Sequence, residues 1–136
     1  MSIEIKEIQA HETWDMRHRV MWPEQNRDYV KLAKDEEGFH YGLFSDNVLV
    51  SIVSLFIENG QAQFRKLATE ETEQGRGYGG QLLNHIIQEA LLKKTERIWC
   101  NARVTKTAFY EKFGLQKTKE TYSKGGVDFV ILERWF

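Results

Sequence analysis

The sequence predicts an α+β domain built on one mixed β-sheet, and three observations favour it. The chain has 136 residues, enough for one hydrophobic core and too few for two. Segments with the alternating or β-branched pattern of strands are interrupted by segments with helical periodicity. Three consecutive strand segments, joined by turn sequences, come before a glycine-rich turn and a helix. We therefore expect a single domain over residues 1–136, with six to seven strands and about four helices.

The first part of the chain predicts a strand followed by helical segments. Ile3, Ile5 and Ile8 alternate with charged residues and indicate a strand with one buried face. A helical pattern runs over 12–21 and ends before Pro23, because proline disfavours helix at the preceding residue. The charged segment 24–37 fits a second short helix or an ordered loop.

Three antiparallel strands are predicted next, over 40–44, 48–57 and 61–69. Turn residues at 45–47 and Asn59-Gly60 connect them. The segment after the glycine-rich turn is an amphipathic helix whose apolar face comprises Leu82, Leu83, Ile86, Ile87, Ala90 and Leu91.

The C-terminal part predicts a buried strand, a helix and a hairpin. The strand covers 97–102, and the helix covers 105–113 with Gly114 as its stop. The hairpin strands cover 118–122 and 127–135.

Composition excludes several classes. Hydrophobic residues make up 41% and charged residues 29%, which is ordinary for globular proteins, and a net charge of −1 gives no reason to expect a nucleic-acid or membrane partner. Cys100 is the only cysteine and lies in an apolar run, so we expect a buried, non-nucleophilic thiol and a reducing compartment. With no signal peptide or membrane span in the sequence, we expect a cytoplasmic protein. The four histidines lack metal-ligand spacing, so no metal is expected.

The glycine-rich turn is the strongest chemical signal. Residues 75–81 contain four glycines and lead directly into the amphipathic helix. Glycine permits φ > 0 and a close approach of the backbone, and the helix adds unsatisfied N–H donors at its start. This combination predicts a phosphate or pyrophosphate site.

Two common phosphate motifs fit poorly. A Walker A loop requires Gly-Lys-Ser/Thr, whereas Gly80 is followed by Gln81 and Leu82. The dinucleotide pattern Gly-x-Gly-x-x-Gly matches at Gly75, Gly77 and Gly80, but that fold begins with this unit and places an acidic residue after the next strand. An NAD(P)-dependent enzyme is therefore only a minor alternative.

A third motif fits better. Gln74-x-x-Gly77-x-Gly79, between a strand and a helix, resembles the acyl-coenzyme A signature of the GNAT superfamily of N-acetyltransferases. The segment 108–115, with Phe109-Tyr110 and Gly114-Leu115, resembles that superfamily's second signature. Residues 72–79 with Asn84-His85 resemble the histone acetyltransferases of the superfamily. By contrast, Arg17-x-x-Val20, Glu24-Gln25 and Ala102 resemble small bacterial ElaA-like members, which match more of the chain.

The resemblance implies a sheet that splays between strands 61–69 and 97–103, and acetyl-coenzyme A as co-substrate. The pantetheine arm would pair with the exposed peptide groups of the first strand, and the pyrophosphate would bind the N–H groups of the turn. The residues implied for cofactor binding are Leu67, Ala68, Thr69, Gln74, Gly75, Arg76, Gly77, Tyr78, Gly79, Gly80 and Phe109. Arg76 is equally compatible with a solvated turn residue.

For catalysis, the resemblance assigns Tyr110 as the general acid that protonates the departing thiolate. The position of the histone acetyltransferase glutamate base holds Gln63, which leaves Glu70, His40 or a water chain as candidate bases. By position alone, Arg17, Arg19, Trp22, Tyr29 and Lys124 are candidates for the acceptor pocket.

The expected function is acetyl transfer from acetyl-coenzyme A to a primary amine of a small molecule, a lysine or an N-terminus, by direct attack in a ternary complex. The main alternative is a non-catalytic acyl-coenzyme A binder or sensor, which the missing strand glutamate favours. The expected partner is an amine acceptor, and the expected oligomeric state is monomer or homodimer.

Overall fold

The computed structural model describes residues 2–136, which form one seven-stranded mixed sheet in the order β1-β2-β3-β4-β5-β7-β6. The α+β prediction is confirmed. The strands are β1 Ile3–Ile8, β2 Phe39–Ser45, β3 Val48–Glu58, β4 Gln61–Thr69, β5 Arg97–Arg103, β6 Gln116–Lys124 and β7 Val127–Trp135. The helices are α1 His11–Met16, continued as a π-helix over Arg17–Met21, α2 Tyr78–Leu92 and α3 Thr107–Glu111.

The sheet opens between β4 and β5. These strands pair in parallel only at Gln61, Ala62 and Gln63, while β5 pairs with β7 along its whole length. Beyond Gln63 the two strands separate, so the C-terminal half of β4 has an unpaired edge. The predicted splay is confirmed, and it leaves backbone hydrogen-bonding groups of β4 available to a ligand.

Each face of the sheet is covered by different helices. Helix α2 packs the main core on one face with its buried side chains Tyr78, Leu82, Leu83, Ile86, Ile87 and Ala90. Leu91, predicted on the same apolar face, is 41% exposed because it lies in the last turn, beyond the sheet. On the opposite face, Met16 and the π-helix residues Val20 and Met21 pack on Ile52 and Ala68.

One local prediction is corrected, and the open choice for 24–37 is decided in favour of an ordered loop. Strand β1 does not have one buried face, because it is an edge strand with apolar side chains on both sides. Ile5 packs on the main core, whereas Ile8 packs with Met16, Ile52 and Ala68 on the opposite face of the sheet. The odd spacing of Ile5 and Ile8 places them on opposite sides. The segment 24–37 forms two short 3₁₀ turns, Arg27–Val30 and Asp35–Glu37, because its polar residues cap turns rather than extend a helix.

Within residues 2–136, no helix combines the length and apolar character that a bilayer span requires.

Candidate active site

The glycine-rich turn changes the chain direction before α2. Gly75 and Gly77 both have φ of +84°, a conformation that side chains resist, and Gly77 is the N-cap of α2. No side chain caps this helix. Backbone N–H groups in the first turn of such a helix can bind an anion, as the sequence predicts.

The next two glycines have a different role, because they lie in the first turn of α2. A Cβ at Gly79 would meet Thr69 Oγ1 at 3.8 Å and Phe109 Cζ at 3.9 Å, which is ordinary contact. A Cβ at Gly80 would meet Phe113 Cζ at 3.1 Å, so Gly80 permits the close packing of α2 against the turn that follows α3. Gly79 thus keeps the cleft open, and Gly80 serves the packing of α2 against that turn.

Strand β4 contains a bulge where it leaves β5. The register between β3 and β4 skips Lys66 and Leu67, and Lys66 has φ of +59°. Leu67 is therefore outside both ladders, and its peptide group lies at the open edge. Ala68 was expected to offer its peptide group to the cofactor in the same way. Instead it pairs with Ile52 of β3, and its carbonyl oxygen accepts a hydrogen bond from Ser51 Oγ at 2.9 Å.

Gln74 joins the end of β4 to the turn. Its side-chain Nε2 donates to the carbonyl oxygen of Thr69 at 3.0 Å. The signature glutamine therefore acts as a local clamp that sets the distance between the strand edge and the helix N-terminus.

A cleft of about 450 Å³ lies between these elements. Ten of the eleven residues predicted for the cofactor line it, namely Leu67, Ala68, Thr69, Gln74, Gly75, Gly77, Tyr78, Gly79, Gly80 and Phe109. Arg76 is not among them, and its Nε pairs with Glu73 at 3.0 Å. Val20 and Met21 also line the cleft. Sequence reasoning missed them because no local pattern signals their contact with a turn more than fifty residues later.

Tyr110 and Phe109 lie on α3 beside this cleft. The Tyr110 ring contacts Phe64 at 5.9 Å and Phe109 at 5.2 Å between centroids. Burial, with a smaller contribution from Cys100, raises the pKa of Tyr110 to about 12. A tyrosine in this state keeps its proton at neutral pH, as a general acid must.

Cys100 is a buried structural thiol, as the sequence predicts. Its side chain is in the main core, and burial raises its pKa to about 12. It is therefore a neutral thiol at physiological pH, which excludes a thiolate nucleophile.

Both side-chain candidates for the base are engaged by other groups. Arg19 donates to the two carboxylate oxygens of Glu70 at 2.9 and 2.6 Å, and this hydrogen bonding raises the pKa of Arg19. His40 is buried, with its ring nitrogens 2.7 Å from Ser54 Oγ and 2.7 Å from the carbonyl oxygen of Asp35. Both carboxylate oxygens of Glu70 and both ring nitrogens of His40 are therefore already in hydrogen bonds.

Arg17, a position-based candidate for the acceptor pocket, is instead fully buried. Its guanidinium binds Asp35 bidentately at 2.9 and 3.0 Å and also contacts Ser54 Oγ at 2.9 Å. This network joins the helical segment before Trp22 to the second 3₁₀ turn and to β3. Arg17 therefore has a structural role, and the prediction that it lines a pocket is wrong.

A second cavity, of about 630 Å³, lies on the other face of the sheet. Gln63 and Arg65 of β4 line it, while the intervening Phe64 packs in the main core. Phe56 and Trp99 supply aromatic surface, and Lys34 pairs with Glu58 at the rim. This cavity therefore lies on the face opposite to α2, whereas the cleft has lining residues from both faces of the sheet.

The part of the chain described here, residues 2–136, contains no group of three or more His, Cys, Asp or Glu side chains placed to hold a metal ion.

Comparison with known proteins gives the family. The family model described as "Acetyltransferase (GNAT) domain" matches residues 6–134. The chain belongs to the GNAT acetyltransferases. The family that the two sequence signatures predict is therefore confirmed, and the enzyme class with it.

Individual relatives agree with this membership. An uncharacterized N-acetyltransferase, YitI of Bacillus subtilis, is 30% identical over 134 residues, covering 92% of this GNAT chain and 90% of that protein. Escherichia coli ElaA shares the fold with a TM-score of 0.81 at 18% identity, over 98% and 99% of the two chains. A GNAT family acetyltransferase from Elizabethkingia anophelis, solved with acetyl-CoA bound, has a TM-score of 0.76 at 20% identity, over 98% of each chain.

Proposed function

We propose that this protein transfers an acetyl group from acetyl-coenzyme A to a primary amine. The observation that carries the proposal is the single cleft that joins the uncapped start of α2 to the unpaired edge of β4. Such a cleft offers N–H donors for a pyrophosphate at one end and a strand edge for an amide-containing arm at the other.

Within that cleft, the peptide groups of Leu67 and Thr69 are assigned to the pantetheine arm, and the N–H groups of 75–80 to the pyrophosphate. The carbonyl oxygen of Thr69 already accepts from Gln74, so Thr69 contributes its N–H. Phe109, which is 37% exposed beside Gly79, packs on the cofactor. The bound acetyl-CoA in the Elizabethkingia anophelis protein supports acetyl-CoA as the ligand of this cleft.

The chemistry assigned to the site is direct attack. The neutral amine attacks the thioester carbonyl, a backbone N–H at the β4 bulge stabilises the oxyanion, and Tyr110 protonates the departing thiolate. With Glu70 and His40 both engaged, water is the assigned carrier of the amine proton.

A non-catalytic acyl-coenzyme A sensor is the second candidate, and one observation favours it. Gln63 stands where the histone acetyltransferases carry a glutamate, and glutamine cannot accept the amine proton. A sensor needs the cofactor cleft but no base.

Turnover separates the two candidates. Thiol release from acetyl-CoA is followed with a panel of amines, while calorimetry measures binding of acetyl-CoA and, as control, NAD. Amine-dependent thiol release supports the transferase. Tight binding of acetyl-CoA without release for any amine supports the sensor, and binding of NAD alone would contradict both.

A further inference from the structure

Three basic side chains at the splay have no carboxylate partner. Arg65 and Lys66 are consecutive residues at the β4 bulge, and Lys124 lies at the end of β6, close enough to Lys66 to depress its pKa. We call these three residues the basic cluster. Within residues 2–136, none of the three forms an ion pair.

Lys66 is the central member. Its side chain is half-buried, and Nζ lies 5.6 Å from the centroid of the Trp22 ring. Its pKa is lowered first by burial and then by the charges of Arg65, Arg17 and Lys124, against a small opposing effect of Asp35. Holding an ammonium group in partly desolvated, positively charged surroundings costs free energy unless an anion compensates it.

Trp22 provides a second, independent observation. Its indole Nε1 is shielded from solvent and has no hydrogen-bond acceptor. A buried donor of this kind normally has a partner. The Lys66 ammonium lies over the Trp22 ring in a cation–π contact, so an unpaired indole N–H and an ammonium without a carboxylate partner occur together.

Most neighbouring carboxylates are already paired. Glu70 is held by Arg19, Asp35 by Arg17 and Glu58 by Lys34. Glu37 lines the cavity together with Arg65, but among residues 2–136 no carboxylate forms an ion pair with the basic cluster.

The cluster is next to the reacting centre of the proposed function. Lys66 directly precedes Leu67, which lines the cofactor cleft, and Arg65 lines the cavity on the other face. A ligand anchored at the cluster could extend along the aromatic surface of Phe56 and Trp99, with its amine at the opening between β4 and β5.

We propose that the acceptor is a small primary amine that carries a carboxylate, and that the carboxylate binds the Lys66 ammonium and the Trp22 indole N–H, in the positive field of Arg65 and Lys124. This inference rests on the proposed acetyl transfer. Positive charge also lowers the pKa of a nearby acceptor ammonium, which supplies neutral amine without a side-chain base. The same charge disfavours polyamines and lysines in basic peptides.

The transfer step balances in ordinary aminolysis. The amine nitrogen forms the new C–N bond, the C–S bond breaks, the nitrogen loses its proton to water, and the coenzyme A thiolate takes a proton from Tyr110, which is then reprotonated from solvent.

The first test compares matched acceptors, for example L-phenylalanine, L-phenylalaninamide and phenethylamine, in a broader panel of acid–amide pairs. Wild-type kcat/KM should favour the acids by about tenfold or more, the usual effect of one charged hydrogen-bond partner. Lys66→Met should remove this preference and leave the neutral amines nearly unchanged, whereas Lys66→Arg should retain most of it. Lys119→Met, an exposed residue on β6, is the control for net charge.

Equal or better turnover of amides and neutral amines would overturn the inference while leaving acetyl transfer intact. Equal effects of Lys66→Met and Lys119→Met would do the same. Absence of turnover with every amine, charged or neutral, would instead contradict the proposed function.

A binding measurement judges the cluster without turnover. The indole N–H resonance of Trp22, assigned with Trp22→Phe, is followed by NMR during titration with N-acetyl-L-phenylalanine and with its amide. The resonance should move with the acid, not with the amide, and not in Lys66→Met. No movement with the acid at millimolar concentration, in the presence of coenzyme A, would overturn the inference.

Discussion

Tyr110 shows at the scale of one residue how burial prepares an acid. Its raised pKa, about 12, keeps the hydroxyl protonated over the whole range in which an enzyme is normally assayed. Tyr110→Phe should lower kcat by about 10- to 10³-fold with little change in acetyl-CoA affinity, because only proton transfer is lost. Steady-state kinetics and calorimetry check the two parts separately. An unchanged kcat would exclude Tyr110 as the acid.

The pH profile gives a further check on the same residue. Because the Tyr110 proton is retained until about pH 12, loss of activity at pH 8 to 10 cannot come from its ionisation. If the wild-type kcat falls between pH 8 and 10, the same fall should therefore be measured in Tyr110→Phe.

Glu70 illustrates a residue whose chemistry depends on a partner far away in sequence. Loss of a true general base costs about 10²- to 10⁴-fold in rate. Since Arg19 occupies both carboxylate oxygens, we expect Glu70→Gln to change kcat far less than that. Arg19→Gln breaks the same ion pair and is the matched control. A large loss in Glu70→Gln alone would restore Glu70 as the base.

At the scale of elements, two neighbouring glycines at the start of α2 have different roles: Gly79 lines the cofactor cleft, and Gly80 packs against Phe113. Gly79→Ala meets only ordinary contacts, so the fold should keep its stability while acetyl-CoA affinity falls, because the new methyl group projects into the cleft. Gly80→Ala should instead lower the stability of the fold, because the new methyl group would press on Phe113, while acetyl-CoA affinity changes less. Thermal unfolding and calorimetry on both variants give the comparison. Unchanged affinity in Gly79→Ala would place the cofactor elsewhere.

The buried Arg17–Asp35 pair connects elements on the other face of the sheet. Burial would raise the pKa of Asp35, but hydrogen bonds from Arg17, the Leu32 backbone and Trp14 outweigh it and hold that pKa below the ordinary 3.8. Because the pKa of Asp35 is lower in the folded than in the unfolded protein, its ionised form adds to the free energy of unfolding above pH 3.8. This contribution is lost as the pH falls through the folded-state pKa. Acid should therefore weaken the attachment of the helical segment that contains Arg17 to the 3₁₀ turn that contains Asp35.

Asp35→Asn tests this contribution directly. It leaves the Arg17 charge buried without its partner and should cost about 3–5 kcal/mol at neutral pH, as broken buried pairs do. The loss should shrink below pH 4, where the wild type loses the same interaction. Denaturant unfolding at several pH values measures both effects. Asp28→Asn, which breaks the exposed pair with Lys31, should change little.

At the scale of the whole molecule, the splay lies between the cofactor cleft, which is lined from both faces of the sheet, and a cavity on the face opposite to α2. Binding of acetyl-CoA to the folded state should stabilise it by about 2.7 kcal/mol at a concentration 100 times Kd. For a domain of this size the Tm should rise by on the order of 10 °C. NAD at the same concentration should give no shift. A shift with NAD and none with acetyl-CoA would contradict the assignment of the cleft.

Most of the fold was predictable because its signals are local. The strands, the helix after the glycine turn and the stop at Gly114 follow from periodicity and turn residues over a few positions. The prediction failed where partners are distant. Ile8 of the edge strand and Arg17 with Asp35 depend on contacts between separate segments. The pairing of Glu70 with Arg19 was equally invisible in the sequence, and the role of Glu70 stays a prediction.

The sequence by itself determined the family and predicted which turn binds the cofactor. Gly75 and Gly77 act through backbone geometry and Gln74 through a bond to Thr69 five residues earlier, so a turn of this kind is encoded by nearby residues. Only the tertiary structure decided that β4 separates from β5 after Gln63, that the candidate bases are engaged, and that Lys66 and Trp22 meet without a counter-charge. The physical reason is that burial and charge pairing are properties of neighbours in space, and those neighbours lie tens of residues apart along the chain.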